Sequence, residues 1–202
     1  MMPILITIFV SIIVIGLIAY LISIFNNLKL LKVNIQKSVS NLDVLFKQRF
    51  DEIPQLINVC KSYMKYEAET LRDLVELSKR YEESRKNSLK DKNIKSSEDL
   101  METNTLDNEL TSKVEGLASQ ISLTYPELKA LPQFQNIQYR ISQLEDQISD
   151  RREFINESVA MYNTHLESFP DMIVARVIGL KQEKMFSVEN HLKEIPDTNI
   201  SI

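Results

Sequence analysis

The sequence predicts an all-α protein: an N-terminal transmembrane helix that continues into an antiparallel bundle of long helices. Three observations carry this. The first charged side chain is Lys29, and nearly every residue from Ile4 to Phe25 is aliphatic or aromatic. The 202 residues include only three glycines and no tryptophan, while Leu, Ile, Glu, Lys and Gln are abundant, a composition with few tight turns and high helix propensity. Beyond Leu28, apolar residues recur at steps of three and four, the period of a helix with one buried face.

The anchor comes first. At ~1.5 Å per residue, Pro3 to Phe25 makes a helix of about 35 Å, enough to cross a ~30 Å hydrocarbon core with some tilt. A cleaved signal would need a basic leader, a shorter apolar core and a small-x-small cleavage site, and Phe25, Asn26, Asn27 and Leu28 offer none of these. Lys29, Lys32 and Lys37 follow the span and only the terminal amine precedes it. The positive-inside rule then puts the N-terminus outside and the C-terminal side in the cytoplasm of the cell (inner) membrane. The division expected is a transmembrane anchor at 1–28, a cytoplasmic helical bundle at 29–187 with a polar connection at about 85–104, and a C-terminal tail at 188–202.

The first bundle helix carries Leu28, Leu31, Ile35, Val39, Leu42 and Phe46 on one face and is continuous with the span, since no Gly or Pro interrupts Leu17 to Ile53. It is expected to end near Phe50. Asp51 suits an N-cap and Pro54 a first-turn position, where its missing N–H costs nothing, so a sharp turn or kink is expected there. The second helix reads Ile57, Cys60, Met64, Ala68, Leu71, Leu74 or Val75, and Tyr81, and fades near Ser84. From Arg85 to Asn104 the residues are mostly Lys, Asn, Ser, Asp and Glu, which reads as a solvated connection or a frayed, wholly polar helix end, with a loop favoured.

The third helix carries Leu106, Leu110, Val114, Leu117, Ile121 and Leu123 and stops before Pro126; Tyr125, Pro126 and Leu128 to Pro132 form the next turn. The most regular seam follows, Ile137, Ile141, Leu144, Ile148, Arg151, Ile155, Ser158, Tyr162 and His165, stepping four, three, four, three. It implies shallow-angle packing along a helix from about Gln133 to Ser168, ending at Phe169 and Pro170. A short helix from Asp171 to Leu180 is expected after it, and the tail beyond Glu189 has too little apolar content to predict.

Several segments, in this order, resemble the LemA family of bacterial membrane proteins. The most specific is Leu42, Asp43, Val44, Leu45, Phe46, Lys47, Gln48, Arg49, Phe50, Asp51, Glu52, Ile53 and Pro54, followed by Leu56, Ile57, Val59 and Tyr63. Tyr125, Pro126, Glu127, Leu128, Lys129, Ala130 and Phe134 resemble the family's turn. Arg152, Phe154, Asn156, Val159, Tyr162, Asn163, Phe169, Pro170, Ala175 and Gly179 resemble its closing segment. The likeness covers about residues 28 to 187. Ile155 stands where the family usually has Tyr and Leu180 where it has Phe, and the stretch from Arg85 to Asn104 matches poorly. The resemblance implies one anchor and a soluble antiparallel bundle, in a family without a settled biochemical activity.

Catalysis needs a constellation, and none is found. There is no Gly-rich phosphate loop, nucleophile elbow or His-Glu-x-x-His run. A di-iron bundle needs Glu-x-x-His pairs, but Tyr162 and Val188 precede His165 and His191 by three. The lone Cys60 forms no intrachain disulfide and reads as a small buried hydrophobe. No cofactor or metal is expected. A net charge of −4, with no basic stripe, argues against nucleic acid.

The polar residues in the matching blocks read as structural. Asp43 and Arg49 lie near the stripe of the first bundle helix, and Arg151 or Arg152 interrupts the fourth; facing one another, they would form a buried ion pair that fixes register. Tyr162 and Asn163 read as a helix-end cluster against Phe169 and Pro170, and Asp51 as a cap.

The expected function is a non-enzymatic scaffold or adaptor on the cytoplasmic face, held by the lipid bilayer through residues 3–25, with protein partners or self-association. The rivals are a self-assembling membrane-organising protein and an accessory subunit of a membrane protease.

Overall fold

The structure is a computed structural model, in which residues 2–64, 68–90 and 100–186 are described. Six helices follow in order: α1 (Met2–Lys61), α2 (Ala68–Lys90), α3 (Met101–Thr124), α4 (Pro126–Lys129), α5 (Pro132–Glu167) and α6 (Asp171–Ile178). Among the described residues there is no strand. The long helices α1, α2, α3 and α5 form the bundle: α1 packs chiefly on α5, α2 on α3 and on α1, and α6 on both α1 and α5.

The first helix is one rod of 60 residues, and it differs from the expectation at Asp51 and Pro54. No turn occurs there, and Asp51 is not a cap. It lies inside the helix on the surface, paired with Lys47 at 2.6 Å one turn away. The apolar stripe explains the continuity. Phe46, Phe50, Ile53, Ile57 and Cys60 remain in register and buried through the proline, and an interior Pro costs about 3 kcal/mol while each large apolar side chain buried returns about 1.5–3 kcal/mol. Pro54 itself is exposed, so its ring takes no place in the core.

The chain leaves α1 later, after Lys61, with Tyr63 and Met64 both donating to the Cys60 carbonyl at 3.0 and 2.9 Å. Ile57 and Cys60 therefore belong to α1, not to the second helix. In α2 the buried side chains are Leu71, Leu74, Leu77 and Tyr81, which settles the choice at Leu74. Tyr81 stacks on Phe50 with centroids 3.8 Å apart and planes within 2°.

The polar connection is shorter than 85–104. Helix α2 runs to Lys90 and α3 starts at Met101, with Leu100, Thr103 and Asn104 buried against the bundle; residues 91–99 lie outside the described residues. Leu123 is not on the buried face but 86% exposed. The Tyr125–Pro126 turn is present: the Tyr125 N–H closes α3 on Ile121 at 3.0 Å, and Pro126 opens the one-turn α4, which buries Leu128.

Along α5 the buried face is Phe134, Ile137, Ile141, Ile148, Ile155, Val159, Tyr162 and Leu166. Leu144, Arg151, Ser158 and His165 fall at its edge, because an α-helix drifts from a strict seven-residue repeat and Val159 and Leu166 take over the seam. The chain turns through a cis Phe169–Pro170 peptide into α6. Gly179 closes α6 in the left-handed region, φ 69°, while Leu180 N–H reaches back to the Ala175 carbonyl at 3.0 Å.

Antiparallel pairing of α1 and α5 sets the level of everything else. Moving toward the N-terminus of α1, Glu52 meets Arg140, Arg49 meets Glu145, and Phe46 lies under the Arg152 guanidinium at 5.5 Å. That register carries the last turns of α5 to the level of Leu28, with α6 beside them. Leu28 is fully buried and Ile24 is 6% exposed, whereas the large apolar residues from Met2 to Ile22 are 40% exposed or more. Within α1 an 18-residue window has mean hydropathy 2.9 and no buried residue, so by length and composition this helix is apolar enough to cross a membrane.

Candidate functional site

Two polar assemblies occupy the bundle, and both use residues of the family-like segments. The first is a buried charge network at mid-height. Arg49 of α1 donates from Nη1 to both carboxylate oxygens of Asp107 on α3, at 3.2 and 3.1 Å, and from Nη2 to Glu145 of α5 at 3.3 Å. Arg152 of α5 donates to Asp107 Oδ2 at 2.9 Å. Arg49 is 1% exposed and Asp107 fully buried. Two cations thus meet two carboxylates across three helices.

A buried ion network was expected, but its acid is different. Asp43 is buried in α1, yet the carboxylates that pair with Arg49 are Asp107 and Glu145, and the α5 arginine on Asp107 is Arg152, not Arg151. Burial pushes the Asp107 carboxyl up from the usual carboxylate range, against the pull of the two guanidiniums. The same burial lowers Arg152, while Asp107 beside it favours its charged form. The sequence carried a signal for Asp107. Thr103, Asp107, Leu110, Val114, Leu117 and Ile121 are all buried and step four, three, four, three, four, so the acid sits on the seam and Leu106 beside it drew attention away.

The second assembly is an asparagine clamp. Residues 181–186 are non-helical and lie along α5, where two asparagines seven residues apart grip their backbone. Asn163 Nδ2 donates to the Glu183 carbonyl at 2.9 Å and its Oδ1 accepts from the Glu183 N–H at 3.0 Å. Asn156 does the same to Phe186, at 3.1 and 2.7 Å. The Phe186 ring enters the core at 3% exposure, and Glu183 reaches Lys32 of α1 at 3.2 Å. Tyr162 is fully buried beside Asn163; its hydroxyl is pushed up by burial and by the Glu183 carboxylate.

This replaces the expected cluster of Tyr162 and Asn163 against Phe169 and Pro170. Phe169 points outward, 78% exposed, and Asn163 turns to the strap instead, where the Glu183 carbonyl and N–H engage both the donor and the acceptor of its amide. His165 binds Asp171 at 2.7 Å, fastening the end of α5 to the start of α6. Glu183 and Phe186 were not anticipated, since one aromatic among Lys, Gln, Glu and Met gives no periodic signal.

Neither assembly holds a nucleophile beside a base. Among the described residues no three His, Cys, Asp or Glu side chains converge in a way that suits a metal ion. Cys60 is buried and its thiol is raised to about 11 by burial, so it stays protonated and unreactive at neutral pH. The network joins three helices, and the clamp ties the strap that follows α6 to α5, with Glu183 reaching α1 through Lys32.

The fold and these locks define a class: an all-α bundle whose first helix extends into a long apolar segment, stabilised by internal charge pairing. The LemA family profile matches residues 38–199, and the chain belongs to the LemA family. That match covers both assemblies and leaves out the apolar N-terminal segment. A search of curated proteins returns no match.

Proposed function

We propose that the protein is a membrane-anchored, non-enzymatic scaffold or adaptor. In this reading residues 3–25 span the cell (inner) membrane with the N-terminus outside, and the bundle stands on the cytoplasmic face, where it organises partner proteins or further copies of itself.

The observation that carries the reading is the unbroken helix Met2–Lys61. A flexible tether would let a domain diffuse near a bilayer; a continuous helix gives it a fixed height and tilt, which suits a part that positions others. The charge network and the clamp support the same reading, since both stiffen the bundle and neither offers chemistry to a substrate.

Crosslinking in intact membranes followed by capture of the full chain tests it. Repeated recovery of a defined partner, or a ladder of homo-oligomers, is the expected result. A monomer that captures nothing, or turnover of a substrate by the purified chain, would overturn it. Maleimide labelling of Lys37→Cys from the cytoplasmic side alone is the matching topology result.

A further inference from the structure

The apolar run and the bundle overlap. Ile24 belongs to the run from Ile4 to Phe25, yet it is 6% exposed, so bundle atoms cover it. The α1–α5 register and the packing of α6 on α1 place the end of α5 and α6 at that level. If the run crosses hydrocarbon, these elements sit at the bilayer surface.

Helix α6 has the surface such a position requires. Its inner side packs Val174 and Ala175 against the core. Its outer side leaves Ile173 and Val177, one turn apart, exposed at 51% and 83%, with Ile178 beside them, and Phe169 in the turn that leads into it is 78% exposed. In water this stripe leaves apolar surface hydrated at a cost in free energy. Leu21 and Phe25, on either side of Ile24 in the sequence of α1, are exposed. Lys29, Arg176 and Lys181 are exposed on the elements around it, and cations are attracted to an anionic leaflet.

We propose that α6 is an interfacial helix, which lays Phe169, Ile173 and Val177 into the headgroup and acyl boundary of the bilayer that holds the span. The partner is a lipid surface. An amphipathic helix in this setting buries its apolar side about 5–10 Å below the headgroups. The strap clamped by Asn156 and Asn163 follows α6 directly and holds it at that height. The chain then touches the membrane at two points, the span and α6, which fixes rotation as well as height. The proposal rests on the anchored reading above.

The test uses the full chain with Cys60→Ala in phospholipid nanodiscs, carrying one environment-sensitive fluorophore at a time, at Leu17→Cys, Ile173→Cys, Val177→Cys or Tyr139→Cys. Tyr139 is exposed on the part of α5 remote from α6. Lipid-attached nitroxide should quench Leu17, Ile173 and Val177 labels several-fold more than the Tyr139 label, with the reverse order for an aqueous quencher. Val177 and Ile173 labels that behave like Tyr139, while Leu17 is quenched from lipid, would overturn the interfacial helix and leave the anchor standing. A Leu17 label quenched from water would overturn both. Labels at 173 and 177 shielded from both quenchers would also overturn it, pointing to a protein contact.

Discussion

Arg49 and Asp107 meet at 3.1 Å across α1 and α3 with 1% and 0% of their side chains exposed, and Arg152 closes on the same carboxylate at 2.9 Å. Asp107 is thus the single acid shared by two cations from different helices. Removing it takes the buried acid from both guanidiniums and leaves Arg49, itself 1% exposed, with Glu145 alone, whereas losing one arginine leaves the acid with the other.

Asp107→Ala should therefore cost about 3–5 kcal/mol, the usual result of breaking a buried pair from one side. Disrupting the exposed Arg80–Glu109 bridge, 3.0 Å long, should cost less than about 1 kcal/mol. Urea denaturation of the full chain in detergent, followed by circular dichroism, compares them. Replacing the buried set together, as Arg49→Met, Asp107→Leu and Arg152→Met, should recover much of the loss, because no buried charge is then left unpaired and Glu145, 41% exposed, is hydrated.

Pro54 offers a cleaner contrast. Inside a helix it withholds one N–H and costs about 3 kcal/mol, while at a first turn it costs nothing. Pro54→Ala should raise stability by about 1–3 kcal/mol in the same assay. No gain would place a helix start at this residue after all.

Releasing the strap is a third case. Asn163→Ala removes two hydrogen bonds to the Glu183 backbone and Asn156→Ala two to Phe186, at about 0.5–1.5 kcal/mol each. Hydrogen exchange at the Glu183 and Phe186 amides should accelerate in these variants, with protection of α2 and α3 unchanged. Phe186→Ala should do the same and cost about 3–5 kcal/mol, since its ring is an anchor in the core.

The Cys60 thiol sets a pH dependence. Its folded value, about 11, lies above the ordinary thiol value of 9.0, so the fold favours the neutral thiol. The unfolded chain loses its proton first as pH rises, and stability falls between about pH 9 and 11 by roughly 2–3 kcal/mol, at 1.36 kcal/mol per unit. Below pH 9 this group contributes no slope. Cys60→Ala should lack the loss, and a thiol reagent at neutral pH should label the wild type only on unfolding.

How much of this was legible depends on which force decided each element. The α5 seam and the long apolar N-terminal helix followed from periodicity and from an uncharged run. Asp51 and Pro54 look like a helix start by local chemistry, but the stripe from Phe46 to Cys60 outweighed it. The break after Lys61 has no Gly or Pro to announce it; Ser62, Tyr63 and Met64 turn because of what α2 packs against. Arg49 and Arg152 were visible as charges on apolar faces. Asp107 was masked by Leu106 beside it, and the strap's partners by their polar composition, since Asn156 and Asn163 recognise backbone and leave no pattern in the side chains they hold.

The claim on which the rest depends is that the segment leaving the bilayer is the bundle's own first helix. Pulsed electron paramagnetic resonance between nitroxides at Ile18→Cys and Lys37→Cys, both exposed on α1, tests it directly in nanodiscs with Cys60→Ala. A continuous helix places them about 28 Å apart at ~1.5 Å per residue, so one narrow distribution near that distance is expected. A broad distribution, or one centred well below it, would mean that the chain bends or melts between span and bundle, and would contradict the account.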